Sequence, residues 1–190
     1  LERDAAALDT SRPWAHPRAV EHDSESVASW VARKTSSADI RELMNSVCRA
    51  VFCCESRELS YLFFLFYCKA SGGLLVLLAA CPGGAQNLLF RGGLHQSSVR
   101  LADALGDAVR LETPVVAVEQ DGERVVVTTA DGDAVTGRRA IVAVPPPLAA
   151  EIAWAPGLPQ DRRRLIERQA MGSTIKAWIV YDAPFWRADG

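Results

Sequence analysis

The sequence predicts a mixed α/β (α+β) fold in which a helical layer precedes a strand-rich second half. Up to residue 73, apolar residues recur at the three- and four-residue spacing of helices that bury one face. From residue 109 the pattern changes to short alternating runs, separated by Asp-Gly pairs that favour hairpin turns. The change of period therefore places the helices first and a sheet after them.

Three helices are predicted in the first part of the chain. The first runs to about Lys34 and the second to about Cys54, and each begins after serines that can cap a helix. The third covers residues 57–70 and is apolar nearly all round, so we expect it to be buried. Residues 74–80 fit a helix or a strand equally well, and a later helix should end at Gly106.

The second part predicts a three-stranded meander. Its strands are residues 115–119, 125–129 and 135–144. Residues 141–144 are continuously apolar, so we expect the last strand to leave the meander and enter a buried sheet. Short strands are also expected at 87–90 and 109–112, and short helices near 147–152 and after Leu158.

One further predicted strand, residues 175–181, is apolar on both faces except for Lys176. The neighbours of this lysine on the same face are Thr174 and Trp178. A lysine in such a strand must reach water, find an acceptor or line a polar cavity. Spacing alone leaves an edge-strand lysine and a functional lysine equally open.

Composition excludes several classes of protein. The formal net charge of −2 provides no electrostatic case for binding nucleic acid. The longest apolar run, residues 59–68, is well short of the ~20 residues that span a bilayer, so no transmembrane segment is predicted. Five cysteines without metal-ligand spacing indicate free thiols in a reducing compartment, hence no metal site and a cytoplasmic location. The chain opens on Leu1 rather than Met, so we expect a piece of a longer protein.

The second half of the chain contains three motifs: Ala140 to Pro147, Gly172-Ser173-x-x-Lys176, and Pro184-Phe185-Trp186. Together, and in this order, they resemble the flavin-containing amine oxidases, the monoamine oxidase family. The resemblance implies FAD as cofactor and oxidation of a primary or secondary amine to an imine and then an aldehyde, with O₂ reduced to H₂O₂. It also implies that Lys176 is catalytic and holds a water beside the flavin N5 atom.

The resemblance extends to binding residues. Gln86, in the segment 83–93, matches a glutamine that lines the family's substrate cavity. Pro114 and Val115 match the site where the family's backbone contacts the FAD adenine. Four further residues fall near cavity positions, although core packing explains them equally well: Leu77, Leu78, Ala50 and Val51.

By the same resemblance, residues 1–80 form the helical part of a substrate domain. Residues 81–148 return to the FAD-binding domain and include the meander, and 149–190 begin the substrate-domain sheet. The family's G-x-G-x-x-G unit and its C-terminal aromatic cage have no counterpart in this sequence. We therefore expect an internal fragment that is inactive alone. Whether it forms a homo-oligomer is left open.

Two alternatives to an amine oxidase remain. One is another FAD oxidoreductase of the same fold, such as an amino-acid oxidase, a polyamine oxidase or a desaturase. The other is a non-catalytic remnant or interaction module that binds no flavin.

Overall fold

The computed structural model describes residues 1–188 and divides the chain into two compact units. The first unit comprises residues 1–88 together with the segment from Gly172 onward. The second unit comprises Leu89–Met171. The mixed α/β class predicted from the sequence is confirmed, with helices dominating the first unit and a sheet in the second.

Residues 1–88 contain short and medium helices. They are α1 (Glu2–Ala6), α2 (Ala19–Asp23), α3 (Val27–Lys34), α4 (Ala38–Phe52), α5 (Tyr61–Ala70) and α6 (Leu74–Leu78), with a 3₁₀ turn at Pro13–Ala15. The run at 74–80, which fitted a helix or a strand equally well, therefore forms helix α6. The third predicted helix starts later than expected, because Ser60 caps α5 by accepting a hydrogen bond from the N–H of Phe63 at 3.3 Å.

Serine caps also begin α3 and α4, as the sequence predicted. The hydroxyl of Ser26 accepts from the N–H of Ser29 at 3.2 Å, and that of Ser37 accepts from the N–H of Ile40 at 3.4 Å. Each cap satisfies one of the donors that the first turn of a helix leaves unpaired.

Helix α5 lies at the centre of the first unit's core. Its residues Tyr61, Phe64, Leu65 and Cys68 are fully buried and follow the three- and four-residue spacing of one helix face. Full burial of a large apolar side chain stabilises the fold by roughly 1.5–3 kcal/mol. Phe63 is 47% exposed, so the helix is buried on one side rather than all round.

The second unit contains the predicted meander. Its strands are β1 (Val115–Gln120), β2 (Val125–Thr129) and β3 (Ala134–Gly137), paired antiparallel. A fourth strand, β4 (Ala153–Ala155), adds to β1 in parallel and gives the order β3-β2-β1-β4. The sequence did not predict β4, because three residues are too few for a readable alternation.

Along the chain, helices precede, interrupt and follow the strands of this sheet. They are α7 (His95–Leu105), α8 (Pro146–Ala149) and α9 (Gln160–Arg168), with 3₁₀ turns at Gly106–Ala108 and, in the first unit, Phe185–Arg187. The predicted end of α7 at Gly106 and the helices near 147–152 and after Leu158 are confirmed.

Several predicted strands are wrong. Residues 87–90, 109–112, 138–144 and 175–181 have no regular secondary structure. Ile141 is 94% exposed and Ile175 is 98% exposed, so neither segment enters a buried sheet. A strand needs a neighbour for its backbone hydrogen bonds. Within residues 1–188 no strand pairs with these segments.

Two searches of the described residues bear on function. No helix in that part of the chain is both long enough and apolar enough to cross a membrane. No group of three or more His, Cys, Asp or Glu side chains there could hold a metal ion.

Candidate functional site

The C-terminal turn of α4 carries two of the predicted cavity residues. Ala50 is exposed, whereas Val51 is half-buried against the first unit's core. The helix ends at Cys53, whose φ of 56° lies in the left-handed region, and the Cys53 N–H donates to the carbonyl oxygen of Arg49 at 3.2 Å. Left-handed residues commonly end helices, but glycine usually takes this position.

A polar cluster fixes the connection that follows Cys53. The carboxylate of Glu55 accepts from Nε of Arg49 at 2.7 Å and from Nδ2 of Asn45 at 2.8 Å. These bonds hold the pKa of Glu55 down to about 2. The Asn45 Oδ1 atom also accepts from the N–H of the buried Ser56 at 2.8 Å. Helix α4 and the start of the next segment are thereby tied together.

The Gly172-Ser173 pair lies against this helix end. The N–H of Ser173 donates to the carbonyl oxygen of Cys53 at 3.1 Å. A Cβ atom built on Gly172 would lie 2.6 Å from the Cβ of Cys53. The glycine of the Gly-Ser-x-x-Lys motif is therefore required by a close approach to α4.

Lys176 follows three residues after that contact. It lies in an irregular segment and its side chain is exposed, so the expectation of a strand buried on both faces is wrong here. Its assignment as the catalytic lysine stays a prediction.

The structure brings Gln86 and Leu77 together. The N–H groups of Ala85 and Gln86 donate to the carbonyl oxygens of Val76 at 2.8 Å and Ala79 at 3.0 Å, which folds the loop back onto α6. The Gln86 side chain then donates through Nε2 to the carbonyl oxygen of Leu77 at 3.4 Å.

The two leucines differ in accessibility. Leu77 is 7% exposed and packs inside the unit, whereas Leu78 is 38% exposed. Leu78 is therefore accessible at the surface of this unit, whereas Leu77 meets Gln86 through its backbone carbonyl group.

Pro114 and Val115 lie in the second unit, at the start of β1. The N–H of Ala130 donates to the carbonyl oxygen of Pro114 at 2.9 Å, and Val115 pairs with Thr129 on β2. On the other side, β4 pairs only with Ala117–Glu119, so among the described residues no strand covers Val115 there. This uncovered backbone edge fits the predicted contact with the FAD adenine.

The sequence missed three features of the first unit, two of them at this site. Cys53 gave no signal, because a left-handed residue at a helix end is normally predicted from a glycine. Asn45 and Glu55 gave none, because their pairing spans ten residues and depends on the helix end. The third is His22, which packs against Tyr61, is 1% exposed and has no hydrogen-bond partner for either ring nitrogen among the described residues.

The sequence of residues 2–190 matches the family model for flavin containing amine oxidoreductases. The chain belongs to this family. It is 36% identical over 191 residues to a probable flavin-containing monoamine oxidase A from Dictyostelium discoideum, covering 100% of this chain and 42% of that protein. It is 34% identical over 180 residues to the flavin-containing amine oxidase B of Mus musculus, covering 95% of this chain and 34% of that protein.

Solved amine oxidase structures share the fold. Cyclohexylamine oxidase from Brevibacterium oxydans matches with a TM-score of 0.81 and 30% identity, over 87% of this chain and 37% of that chain. Wild-type putrescine oxidase bound to putrescine matches with a TM-score of 0.81 and 28% identity, over 100% of this chain and 42% of that chain. The chain thus spans less than half the length of these relatives, and the family implies FAD as cofactor.

Proposed function

We propose that this chain is part of an enzyme that oxidises a primary or secondary amine, with FAD as cofactor and O₂ as oxidant. The observation that carries the proposal is the family match over residues 2–190. The likeness to a putrescine oxidase bound to putrescine supports an amine as the substrate class. It also favours a diamine or polyamine as a second candidate.

Bound FAD would supply the redox chemistry, accepting a hydride equivalent from the amine α-carbon and passing two electrons to O₂, which leaves as H₂O₂. The resulting imine takes up water and releases an aldehyde together with ammonia, or with a primary amine when the substrate is a secondary amine. The protein's task is to bind the reactants, orient them and place water where it is needed.

Lys176 would supply the positioned water. Its ammonium is a donor only, so it can hold a water by the oxygen and leave both water hydrogens available. The Gly172-Ser173 contact with Cys53 supports this role, because it holds the start of the lysine's segment against α4.

Gln86 would orient the amine. Its Nε2 atom donates to the carbonyl oxygen of Leu77, which leaves the amide oxygen Oε1 as the acceptor group of this side chain. That oxygen is an acceptor and suits an amine N–H group. Exposed Leu78 would contact the apolar part of the substrate, and Ala50 and Val51 would add a small and an apolar side chain to the same cavity.

Pro114 and Val115 would lie against the adenine of FAD, with Val115 offering the backbone edge of β1 and Pro114 fixed beside it by its bond from Ala130. The support is the register of β4, which begins opposite Ala117 and leaves the preceding residues uncovered among those described.

We further propose a cytoplasmic enzyme, inactive as residues 1–190 alone and able to self-associate. The five cysteines are all free, which is typical of a reducing compartment. The inactivity is proposed because the sequence contains no G-x-G-x-x-G segment to bind the FAD pyrophosphate. Exposed apolar residues after Ser173 support self-association.

The test is to purify the enzyme that contains residues 1–190 and record its visible spectrum. We expect flavin absorbance, amine-dependent bleaching without O₂, and H₂O₂ release with O₂. Benzylamine, cyclohexylamine and putrescine would separate a monoamine from a diamine preference. Absence of flavin, or flavin that no amine reduces, would refute the proposal.

A further inference from the structure

We propose that Cys53 and Gly172 form a contact, the Cys53–Gly172 joint, that fixes the position of the Lys176 segment relative to the C-terminal end of α4. The inference rests on the proposed amine oxidation, because it assigns a role to residues that touch neither substrate nor cofactor. Cys53 contributes its carbonyl group and its left-handed backbone, and Gly172 contributes the absence of a side chain.

The joint is held by a hydrogen bond and a close contact. The Ser173 N–H reaches the Cys53 carbonyl oxygen at 3.1 Å. A carbonyl oxygen at the end of a helix has no partner within that helix, so this bond also satisfies the end of α4. The two chain segments are separated by more than a hundred residues in sequence and meet backbone to backbone.

Gly172 is required by space and not by backbone conformation. Its φ lies outside the left-handed region, so an alanine could adopt the same backbone. An added Cβ would however lie 2.6 Å from the Cβ and 3.1 Å from the carbonyl oxygen of Cys53. The first distance is shorter than real Cβ contacts, so one of the two segments would have to move.

The Cys53 side of the joint is well supported. Cys53 donates to Arg49, and Arg49 and Asn45 both bond Glu55 just beyond it. These bonds hold the left-handed turn in place. Movement forced by a larger residue at position 172 would therefore fall mainly on the segment that leads to Lys176, which has no regular secondary structure.

The joint limits the position of the lysine. Lys176 is three residues beyond Ser173, and three residues extend at most about 10 Å. The lysine backbone must stay within that distance of Ser173, whose N–H contacts the same helix end that carries Ala50 and Val51. The joint thus links the predicted water-holding residue to two predicted cavity residues.

The test compares variants of the enzyme that contains residues 1–190. Gly172→Ala introduces the clash. Gly157→Ala is the matched control, because its added methyl meets no atom within 4 Å and its φ also lies outside the left-handed region. The double variant Cys53→Gly with Gly172→Ala removes the closest clashing atom, and glycine tolerates the left-handed conformation.

Two measurements are made on each variant. Hydrogen exchange of peptides covering residues 170–180 reports the Ser173 N–H bond, without reference to activity. Steady-state kinetics with an amine separate kcat from KM. We expect Gly172→Ala to speed exchange of this peptide by about 10-fold or more, and to lower kcat by about 10-fold or more with KM nearly unchanged. The double variant should recover most of both.

Three results would overturn the joint. They are exchange in Gly172→Ala that equals that of Gly157→Ala, faster exchange with an unchanged kcat, and a folded double variant that recovers neither quantity. A wild-type enzyme that oxidises no amine would refute the proposed function instead. The structural contact would then be judged by the exchange data and their recovery in the double variant.

Discussion

The hydroxyl of Tyr61 donates a hydrogen bond of 2.8 Å to the carboxylate of Asp4, 57 residues earlier in the chain. Tyr61 is fully buried, and its ring stacks on Trp30 with centroids 4.6 Å apart. The same ring also packs in a T-shaped arrangement against His22, with the ring centroids 5.3 Å apart. One side chain of α5 therefore joins the first three helices of the unit.

The bond affects both ionisable partners. Burial raises the pKa of Tyr61, and the bond to Asp4 raises it further. Burial alone would raise the pKa of Asp4, but the bond from Tyr61 and the nearby positive charges outweigh it, so the Asp4 pKa lies below its ordinary value. The ionised carboxylate and the protonated hydroxyl are thus both favoured by folding.

Tyr61→Phe should destabilise the fold by about 1.5–3 kcal/mol, the range for a hydrogen bond to a charged group. The lower end is expected because Asp4 is only half-buried. Tyr67→Phe is the control, since Tyr67 is half-buried on the same helix. Urea unfolding at pH 7 measures both variants.

The pH dependence of this variant follows from the direction of the Asp4 shift. A depressed pKa adds stability that is present above the ordinary value of 3.8 and is lost as the pH falls below it. The difference between wild type and Tyr61→Phe should therefore shrink below pH 3.8. A difference independent of pH, or one shared by Tyr67→Phe, would contradict the assignment.

His22 should make the fold sensitive to mild acid. Burial is the main cause of its lowered pKa, and the charge of Arg18 lowers it further. The unfolded chain therefore binds a proton more readily than the folded one, so stability is full above the ordinary pKa of 6.5 and falls as the pH drops below it.

His22→Phe should remove this acid slope. It keeps an aromatic ring against Tyr61 and deletes two buried nitrogens that have no partner among the described residues. Stability at neutral pH should be unchanged or higher, because unpartnered buried polar atoms are costly. Exposed His95 provides the control His95→Phe. Thermal unfolding between pH 5 and 7.5 decides, and an acid slope that persists in His22→Phe would exclude this histidine as its source.

Local chemistry explains which parts of the fold the sequence could predict. The serine caps of α3 and α4 and the Asp-Gly turns of the meander act over three or four residues, so they can be read directly. Lys176 shows the limit: an apolar run predicts a strand only if a partner strand exists, and among residues 1–188 none pairs with it.

The candidate site was predictable only by resemblance. Gln86 and Leu77 meet because the loop between them folds back by backbone hydrogen bonds, which no residue type signals. The Cys53–Gly172 joint depends on two segments far apart in sequence. Long-range contacts of this kind leave no periodicity for a single sequence to show.

Residues 175–181 should make the chain of 190 residues self-associate. Ile175, Trp178 and Val180 are 98%, 89% and 93% exposed, and the segment's backbone has no strand partner among the described residues. Apolar, unpaired backbone readily pairs with another chain. Light scattering should show a mean mass that rises with concentration.

Changing Ile175 and Val180 together to lysine should suppress this rise, because it removes apolar surface and adds charge. Thr174→Lys is the control, since it adds a charge immediately before this segment but removes no large apolar side chain. A wild-type chain that stays monomeric at every concentration would contradict the prediction. Equal suppression by Thr174→Lys would assign the effect to charge alone.

Lys176→Met, in the flavin-loaded enzyme, is the direct test of the predicted catalytic lysine. Methionine keeps most of the apolar stem and removes the donor, so folding and flavin content should change little. If Lys176 holds a water for the reaction, flavin reduction by amine or reoxidation by O₂ should slow by about 10-fold or more, equivalent to roughly 1.4 kcal/mol or above.

The control for this test is Lys34→Met, which removes a lysine that lies 5.8 Å from the centroid of the Trp30 ring. It should lose at most the modest cation–π contribution to stability, and both half-reactions should keep their rates. Stopped-flow spectroscopy measures reduction and reoxidation separately. Since an exposed lysine contributes little energy unless it acts on a reactant, wild-type rates in both half-reactions of Lys176→Met, with flavin bound, would remove Lys176 from the site.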